Sequence, residues 1–363
     1  MVIGHLIYMT TGVARIEFEM QTPLWTGGVS RQGDLGVHTT GILGGMRWWL
    51  EALLRGVGAN APDPVADPGV FDSGLGETGG LDAASLLFGA TGYRRRFRLM
   101  VTSNVSPARV EDVEFKTLSH PVLDDAGRPV LDRDGKPKIK VPTWYFKSTP
   151  VMGKLVLQIT ALHEDCEVAV VADLLSFMAK WGTLGARAQM GFGVARAISG
   201  ETSGDALLQF LKQPQRSSGP GGMPALHQMF FARVVGRSGV LLDDPDTFLL
   251  KHDIRRLFPN RDLRHEVMGW VERDHRQGAR IHMSRPYGPR RAIRLWGWVP
   301  DHSVSGKAFD RNRDVLDRIH AYFSSGRFQL ESWREWGSAR DEAVIRGESP
   351  VDFFDRLRKE TWQ

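Results

Sequence analysis

A chain of 363 residues, 42% hydrophobic and 25% charged, has the length for two domains, each burying a sizeable core. Its one cysteine, Cys166, excludes an internal disulfide and a multi-cysteine metal site, and fits a reducing compartment. There is no apolar run of about 18 residues to span a membrane and no basic-then-apolar leader pattern, so a cytoplasmic location is expected.

The net charge of +5 is unevenly spread. Residues 1–200 hold 20 Lys+Arg against 20 Asp+Glu, whereas residues 251–294 hold 12 against 5, with His252, His265, His275 and His282 interspersed. A local basic block suggests a polyanionic partner; a solvated basic face is the plainer alternative.

In chain order, residues 13–20 alternate apolar and polar, as a half-buried strand does. Pro23 and Gly27-Gly28 end it. Thr39–Arg55 begins as a glycine-punctuated loop, with Gly41, Gly44 and Gly45, and continues as a helix over about 42–56. Its apolar face is Met46, Trp49, Leu50, Leu53 and Leu54. Arg47 stands beside that loop, placed either to meet an anion near exposed N–H groups or to pair with a carboxylate. The 57–80 region reads as a surface loop. Its Gly74-Leu-Gly-Glu-Thr-Gly79 matches GxGxxG, but it follows a loop and lacks a surrounding βαβ unit.

Arg94 and Arg95 open a second strand ending near Thr102. Residues 104–150 read as a long insertion, with a strand at Val113–Leu118 and a hairpin tip at Asp132-Arg-Asp-Gly135. Its end carries Lys138, Lys140, Trp144, Tyr145 and Lys147; basic residues among aromatics suit nucleic acid, and an ordinary hairpin fits equally well. A strand at Lys154–Leu162 and a helix at Val168–Trp181 follow. Gly182-Thr-Leu-Gly-Ala-Arg-Ala-Gln-Met-Gly-Phe-Gly193 then leads into a strand at about 192–198. Four glycines with Arg187 and Gln189 between them can wrap a phosphate with backbone N–H groups, or serve a connection that needs positive φ.

The resulting order, β-α-β-β-α-β, is the ferredoxin-like plan. Residues 201–224 read as a linker and 225–363 as a second, degenerate copy. That copy has a strand at 228–235, helices at about 261–277, strands at 279–283 and 292–299, and a helix at about 309–323. Its basic loop, Ser284-Arg-Pro-Tyr-Gly-Pro-Arg-Arg291, carries Arg285, Arg290 and Arg291; residues 331–361 read as two terminal helices. The expected fold is thus α+β, with two ferredoxin-like (RRM-like) domains, 1–200 and 225–363, a long hairpin insertion and C-terminal helices. No HExxH, P-loop, GxSxG or EF-hand pattern occurs. His163-Glu-Asp-Cys166 is too tightly spaced for a tetrahedral cage, so neither a metal nor a cofactor is expected. His38, near Asp34, or another loop His could act as general acid/base in a metal-independent ribonuclease that processes repeat RNA.

Four motifs in order, Thr22-Pro-Leu-Trp-Thr-Gly-Gly28, Gly41-Ile-Leu-Gly-Gly-Met-Arg-Trp-Trp-Leu-Glu-Ala-Leu53, Leu87-Phe-Gly89 and Gly182–Gly193, resemble the RAMP superfamily of CRISPR effector subunits. Within it, the Arg-Trp-Trp helix and the first glycine turn resemble the first subunits of type III-B (Cmr) RNA-targeting complexes. Ile293-Arg-Leu-Trp-Gly-Trp-Val-Pro300 extends the resemblance faintly into the second half. The resemblance implies a non-catalytic subunit at the 3′ region of a guide RNA (crRNA), in contact with the complementary target RNA. It also implies that the subunit caps a row of other effector-complex RAMP subunits. It assigns Gly27, Gly28, Gly44 and Arg47 to a first RNA-facing loop, and Gly185, Arg187, Gly191, Phe192 and Gly193 to a second. The residues themselves add Thr26, Arg31, Gly41, Arg94, Arg95, Gln189, Arg285, Arg290 and Arg291 as candidate RNA contacts. The chain departs from relatives in having Thr39-Thr-Gly-Ile-Leu-Gly44 and Ala188-Gln189-Met190 where they tend to be more basic.

Overall fold

The computed structural model describes residues 12–26, 36–110, 113–114, 119–124, 127–141, 143–144, 149–213, 222–272, 275–301 and 309–361. The first half runs β1 (Val13–Met20), α1 (Thr39–Gly56), α2 (Ala83–Phe88) and β2 (Phe97–Pro107). Next come the short strands β3 (Val113–Glu114), β4 (His120–Pro121), β5 (Ile139–Lys140) and β6 (Thr143–Trp144). It ends with β7 (Val151–Ala161), α3 (Val168–Trp181), β8 (Ala195–Ser199) and α4 (Asp205–Lys212). The main strands form an antiparallel sheet in the order β2-β7-β1-β8.

The second half runs β9 (Met229–Gly236), α5 (Asp244–Arg256), α6 (Arg261–Met268), β10 (Trp270–Glu272), β11 (His275–Gln277), β12 (Ile281–Met283), β13 (Ile293–Trp298), α7 (Asp317–Phe323), β14 (Phe328–Glu335) and α8 (Pro350–Lys359). Its antiparallel sheet has the order β12-β13-β9-β14. If β10 and β11 are set aside as a separate hairpin, the two halves share one strand order, with the first and third strands of each unit central and adjacent.

Packing follows from the apolar patterns. On β1, Ala14, Ile16, Phe18 and Met20 alternate inward. On α1, Ile42, Met46, Trp49, Leu50, Leu53 and Leu54 recur at helical spacing and are buried. α3 is apolar almost all round because it is covered all round, by the sheet, α1, α4 and α8. Its one buried carboxylate, Asp173, accepts from the Gly204 and Leu207 N–H groups at 3.2 and 2.9 Å, so one helix caps the start of another.

That contact marks a departure from the sequence reading. Residues 201–224 are not all linker: 205–212 form α4, which buries Leu207, Leu208 and Leu211. The second half also differs. Residues 244–256 form a helix that was not expected, and the helix expected at 261–277 stops at Met268, where Gly269 takes φ +75° and the chain turns into a hairpin. Residues 328–335 form the edge strand β14; only 350–359 is a terminal helix, begun by a Ser349–Asp352 capping box with Pro350 in its first turn. The sequence reading placed 331–335 in the first of two terminal helices. In the structure Glu335 is fully buried, accepting from Arg340 and from the Trp333 indole, so its charge is answered inside the fold.

The insertion carries two Asp-anchored turns where one tip was expected, Asp124–Arg128 and Asp132–Lys136. Lys138 and Lys140 on it are exposed. Residues 115–118 of the expected strand, with Tyr145, Lys147 and the Trp144 side chain, lie outside what is described.

Candidate nucleic-acid interface

The helix α1 starts earlier than its sequence suggested. Gly41 and Gly44 lie inside its first turns, exposed, and a Cβ added at either would meet nothing within 4 Å. They leave bare backbone on one helix face. Trp48, further along, is half-buried and stands edge-on to Trp49 and Trp296. Arg47 is engaged elsewhere: Nε donates to Glu51 at 2.8 Å, Nη1 to the Gly89 carbonyl at 2.8 Å and Nη2 to Ser85 Oγ at 3.0 Å. Nε pairs within α1 while Nη1 and Nη2 tie α1 to α2 and its C-cap, so the guanidinium is a strut, and the carboxylate-paired reading of Arg47 is the one the contacts describe.

The glycine loop between α3 and β8 has its own geometric reason. Gly193 has φ +89°, and a Cβ there would lie 2.0 Å from the Leu184 carbonyl oxygen. Gly191, also at φ +89°, would drive a Cβ to 2.6 Å from the Arg285 backbone nitrogen, which donates to the Gly191 carbonyl at 3.1 Å. Gly193 thus lets the loop close on its own backbone, and Gly191 lets backbone touch backbone across the two halves. Phe192 is fully buried, edge-on to Trp25 at 5.1 Å and beneath Arg285 at 4.8 Å. It belongs to the core and is not placed to stack on RNA. Arg187 is different. It adopts φ +61° and its guanidinium carbon lies over the Trp25 ring, 3.8 Å from the centroid, with no carboxylate pairing it among the described residues. Gln189 is half-buried, and its carbonyl accepts from Lys251 at 3.3 Å.

The basic loop 284–291 is largely engaged at the junction between the halves. Arg285 is 4% exposed and pairs with Asp244 at 2.6 Å. Arg291 donates to the Leu242 carbonyl at 2.9 Å, and Arg290 pairs with Glu331 while remaining mostly exposed. Arg94 is exposed, while Arg95 folds back to the Phe97 carbonyl at 2.7 Å. Thr26 Oγ1 accepts the His38 N–H at 3.3 Å, fixing the entry to α1. Gly27, Gly28, Arg31 and Asp34 lie outside the described residues. The GxGxxG stretch forms a turn in which the Asp72 carboxylate accepts the Gly74 N–H at 2.8 Å, so its N–H nest holds the chain's own anion.

The two motif-bearing segments converge on one cleft, with a cavity volume of about 840 Å³. Gly45, Trp48 and Trp49 from α1 form one wall, and Thr183, Gly185 and Ala188 from the glycine loop form the floor. The rest of the lining comes from the second half, from α6, the β10–β11 hairpin and β12–β13: His265, Trp270, Arg280, His282, Trp298 and Trp296, the last in ring contact with Trp48 and Trp49. His282 stacks on Trp296 at 4.0 Å, and burial with the nearby Lys251 pushes its imidazole down to about 3. Arg280 lies over Trp298 at 4.5 Å and pairs with Glu266 at 3.2 Å. Desolvation, and then the charges of Arg261, Arg255 and Arg264, hold the His265 imidazole below its ordinary range; these three arginines of α5 and α6 form a cationic rim on this side.

Sequence reasoning named the α1 and glycine-loop parts of the lining but missed the second half's share. The basic block drew attention to its cations, while the cleft is made by the aromatic and histidine side chains among and just after them. Trp270 within that block, and Trp296 and Trp298 just after it, were the available signal. Among the described residues there is no cluster of three or more His, Cys, Asp or Glu able to hold a metal, and no helix long and apolar enough to cross a membrane.

Two antiparallel sheets of matching strand order, joined across an aromatic cleft, define an α+β protein of paired units. Residues 17–196, from β1 through the glycine loop into β8, match the RAMP superfamily, and the chain belongs to that superfamily. Among solved structures it is similar to the crystal structure of Cmr1 from Pyrococcus furiosus in its apo form, at 13% identity and a TM-score of 0.48, over 88% of this chain and 98% of that one. It is also similar to a chain in a cryo-EM structure of type III-B Cmr-beta bound to cognate target RNA and AMPPnP in the presence of ssDNA. There the identity is 11% and the TM-score 0.43, over 86% of this chain and 100% of that one. No curated protein matches it.

Proposed function

We propose that this chain is a non-catalytic RNA-binding subunit of a type III CRISPR effector of the Cmr kind, built from two ferredoxin-like domains. In this reading it contacts the 3′ region of the guide RNA and the target RNA paired to it, and caps the row of other RAMP subunits. The observation that carries it is the convergence of the Arg-Trp-Trp helix and the Gly182–Gly193 loop, both motif-bearing, on one aromatic-walled cleft with a cationic rim. Rings that stack on bases beside charges that meet phosphates are the chemistry of single-stranded RNA binding. Thr26, Gly41, Gly44, Arg94, Arg187, Gln189 and Arg290 stand as its surface contacts. Arg47, Arg95, Gly191, Phe192, Gly193, Arg285 and Arg291 support the site from within.

Fluorescence anisotropy of labelled guide RNA with the purified chain tests this. Binding should weaken steadily as salt rises. Absence of binding, or affinity indifferent to salt, would refute it. The same mixture incubated in chelator should keep the RNA intact; discrete cleavage lost in His38→Ala would instead establish a metal-independent endoribonuclease.

A further inference from the structure

We infer that the cleft between the two halves is a pocket for unpaired nucleobases, entered by bases swung out of a single strand whose phosphates stay on the rim. This rests on the RNA-binding reading above and specifies what part of the RNA the site takes. The cavity of about 840 Å³ lies in the size range of pockets that enclose small organic ligands, about 300–1,000 Å³. Its interior suits flat, neutral rings. Trp48 and Trp298 are half-buried and line it, and His282 and Trp296 already stack face to face at 4.0 Å, showing the ring spacing that a base would continue.

The same interior is poor for phosphate. The cation inside, Arg280, is paired with Glu266 and lies on Trp298, and Asp262 adds a second carboxylate to the lining. A phosphate brought there would meet indole faces and the carboxylates of Glu266 and Asp262, which repel its charge. The cations offered to a backbone stand on the elements that line it: Arg187 of the glycine loop, on its Trp25 platform, and Arg261 and Arg264 of α6. Bases in and phosphates out is therefore the arrangement that satisfies both regions. Gln277 is already engaged, its Oε1 accepting from the Trp270 indole at 3.1 Å and its amide donating to the Glu266 carbonyl at 3.0 Å. The pocket thus offers ring faces more than hydrogen-bonding edges, and recognition by stacking tolerates any base. A base held in a duplex has no free face to offer, so the pocket selects unpaired nucleotides.

The test uses the full chain and three short RNAs: one with 2-aminopurine at an unpaired position, the same strand annealed to its complement, and one with abasic sites throughout. The single strand should bind with strong quenching of 2-aminopurine, and the duplex without it. The abasic strand should bind about tenfold or more weakly. Trp298→Ala and Trp48→Ala should each relieve quenching, with Trp48→Phe retaining it. Equal affinity for abasic and intact strands, or binding with no quenching, would overturn the base pocket while leaving RNA binding standing. No binding of any of the three would overturn both. The abasic comparison uses the unaltered protein, so it decides the question even where a tryptophan variant fails to fold.

Discussion

Arg294 of β13 donates through Nη1 to the Ala179 carbonyl at 2.7 Å, and the same nitrogen reaches the Gly182 carbonyl at 2.8 Å. A cation from the second half thereby closes the C-terminus of α3 in the first, where the helix dipole places partial negative charge. Gly182 opens the glycine loop, so this one side chain sets where that loop leaves the helix. Arg294→Met keeps the aliphatic stem and removes the donors, leaving two buried carbonyls without this partner. The expected loss is about 3 kcal/mol of stability, seen as a lower urea midpoint. A midpoint within error of the parent would mean the contact contributes nothing.

Two glycines from the recognised motifs should respond oppositely to alanine. Gly193→Ala forces a Cβ toward the Leu184 carbonyl at an unfavourable φ and should cost about 3 kcal/mol or more. Gly44→Ala sits inside α1 with open space around it and should stabilise by about 1 kcal/mol. Thermal melts of the two variants decide it; a destabilised Gly44→Ala would show that the bare helix face has a neighbour not seen here.

The contrast between those glycines shows what the sequence could disclose. Alternation on β1 and helical spacing on α1 reported burial directly, because each residue's partner is the core as a whole. The order of strands and helices in the first half followed from the same signal. Arg47 and Arg285 were harder: a cation's partner is one specific group, here Glu51 four residues away and Asp244 forty-one residues before. Nothing local distinguishes an arginine that meets RNA from one that meets a distant carboxylate. The strand β14 was hidden for the same reason, since Glu335 and Arg334 look solvated until Arg340, Asp341 and Glu342 are folded around them. The second half's share of the cleft was harder to see because Trp270 stands on β10 and Trp296 and Trp298 on β13, elements of separate sheets that only the folded chain brings to one lining.

His282 gives the fold a pH dependence. Its folded-state pKa is near 3 against an ordinary value of 6.5, so between these values the unfolded chain holds more protons. The stability tied to the neutral ring is complete above about pH 6.5 and falls as the pH drops through that window. At pH 5 the loss from this group is about 2 kcal/mol. His282→Phe keeps a ring against Trp296 and should flatten that part of the profile. Denaturation midpoints at pH 7.5 and 5 for both proteins measure it, and parallel slopes would remove His282 as the cause.

Arg187 and Arg285 both belong to the candidate set, yet they should report on different properties. Arg285 is buried against Phe192 and Phe248 and paired with Asp244, so Arg285→Ala should lower stability by about 3 kcal/mol. Arg187 lies half-buried on Trp25 at a positive φ that glycine adopts without strain. Arg187→Gly therefore exchanges a lost stacking contact for relieved backbone strain, and stability should stay within about 1 kcal/mol of the parent. What it removes is a cation of the loop that lines the cleft through Gly185 and Ala188. If Arg187 neutralises one phosphate of a single strand, the slope of log affinity against log salt should become shallower by about 0.7. Affinity at low salt should fall several-fold while the affinity at high salt changes less. Arg187→Lys restores charge without the flat guanidinium and should recover the slope. A Gly variant with the parent's slope would place the phosphates elsewhere on the rim, at Arg261 and Arg264.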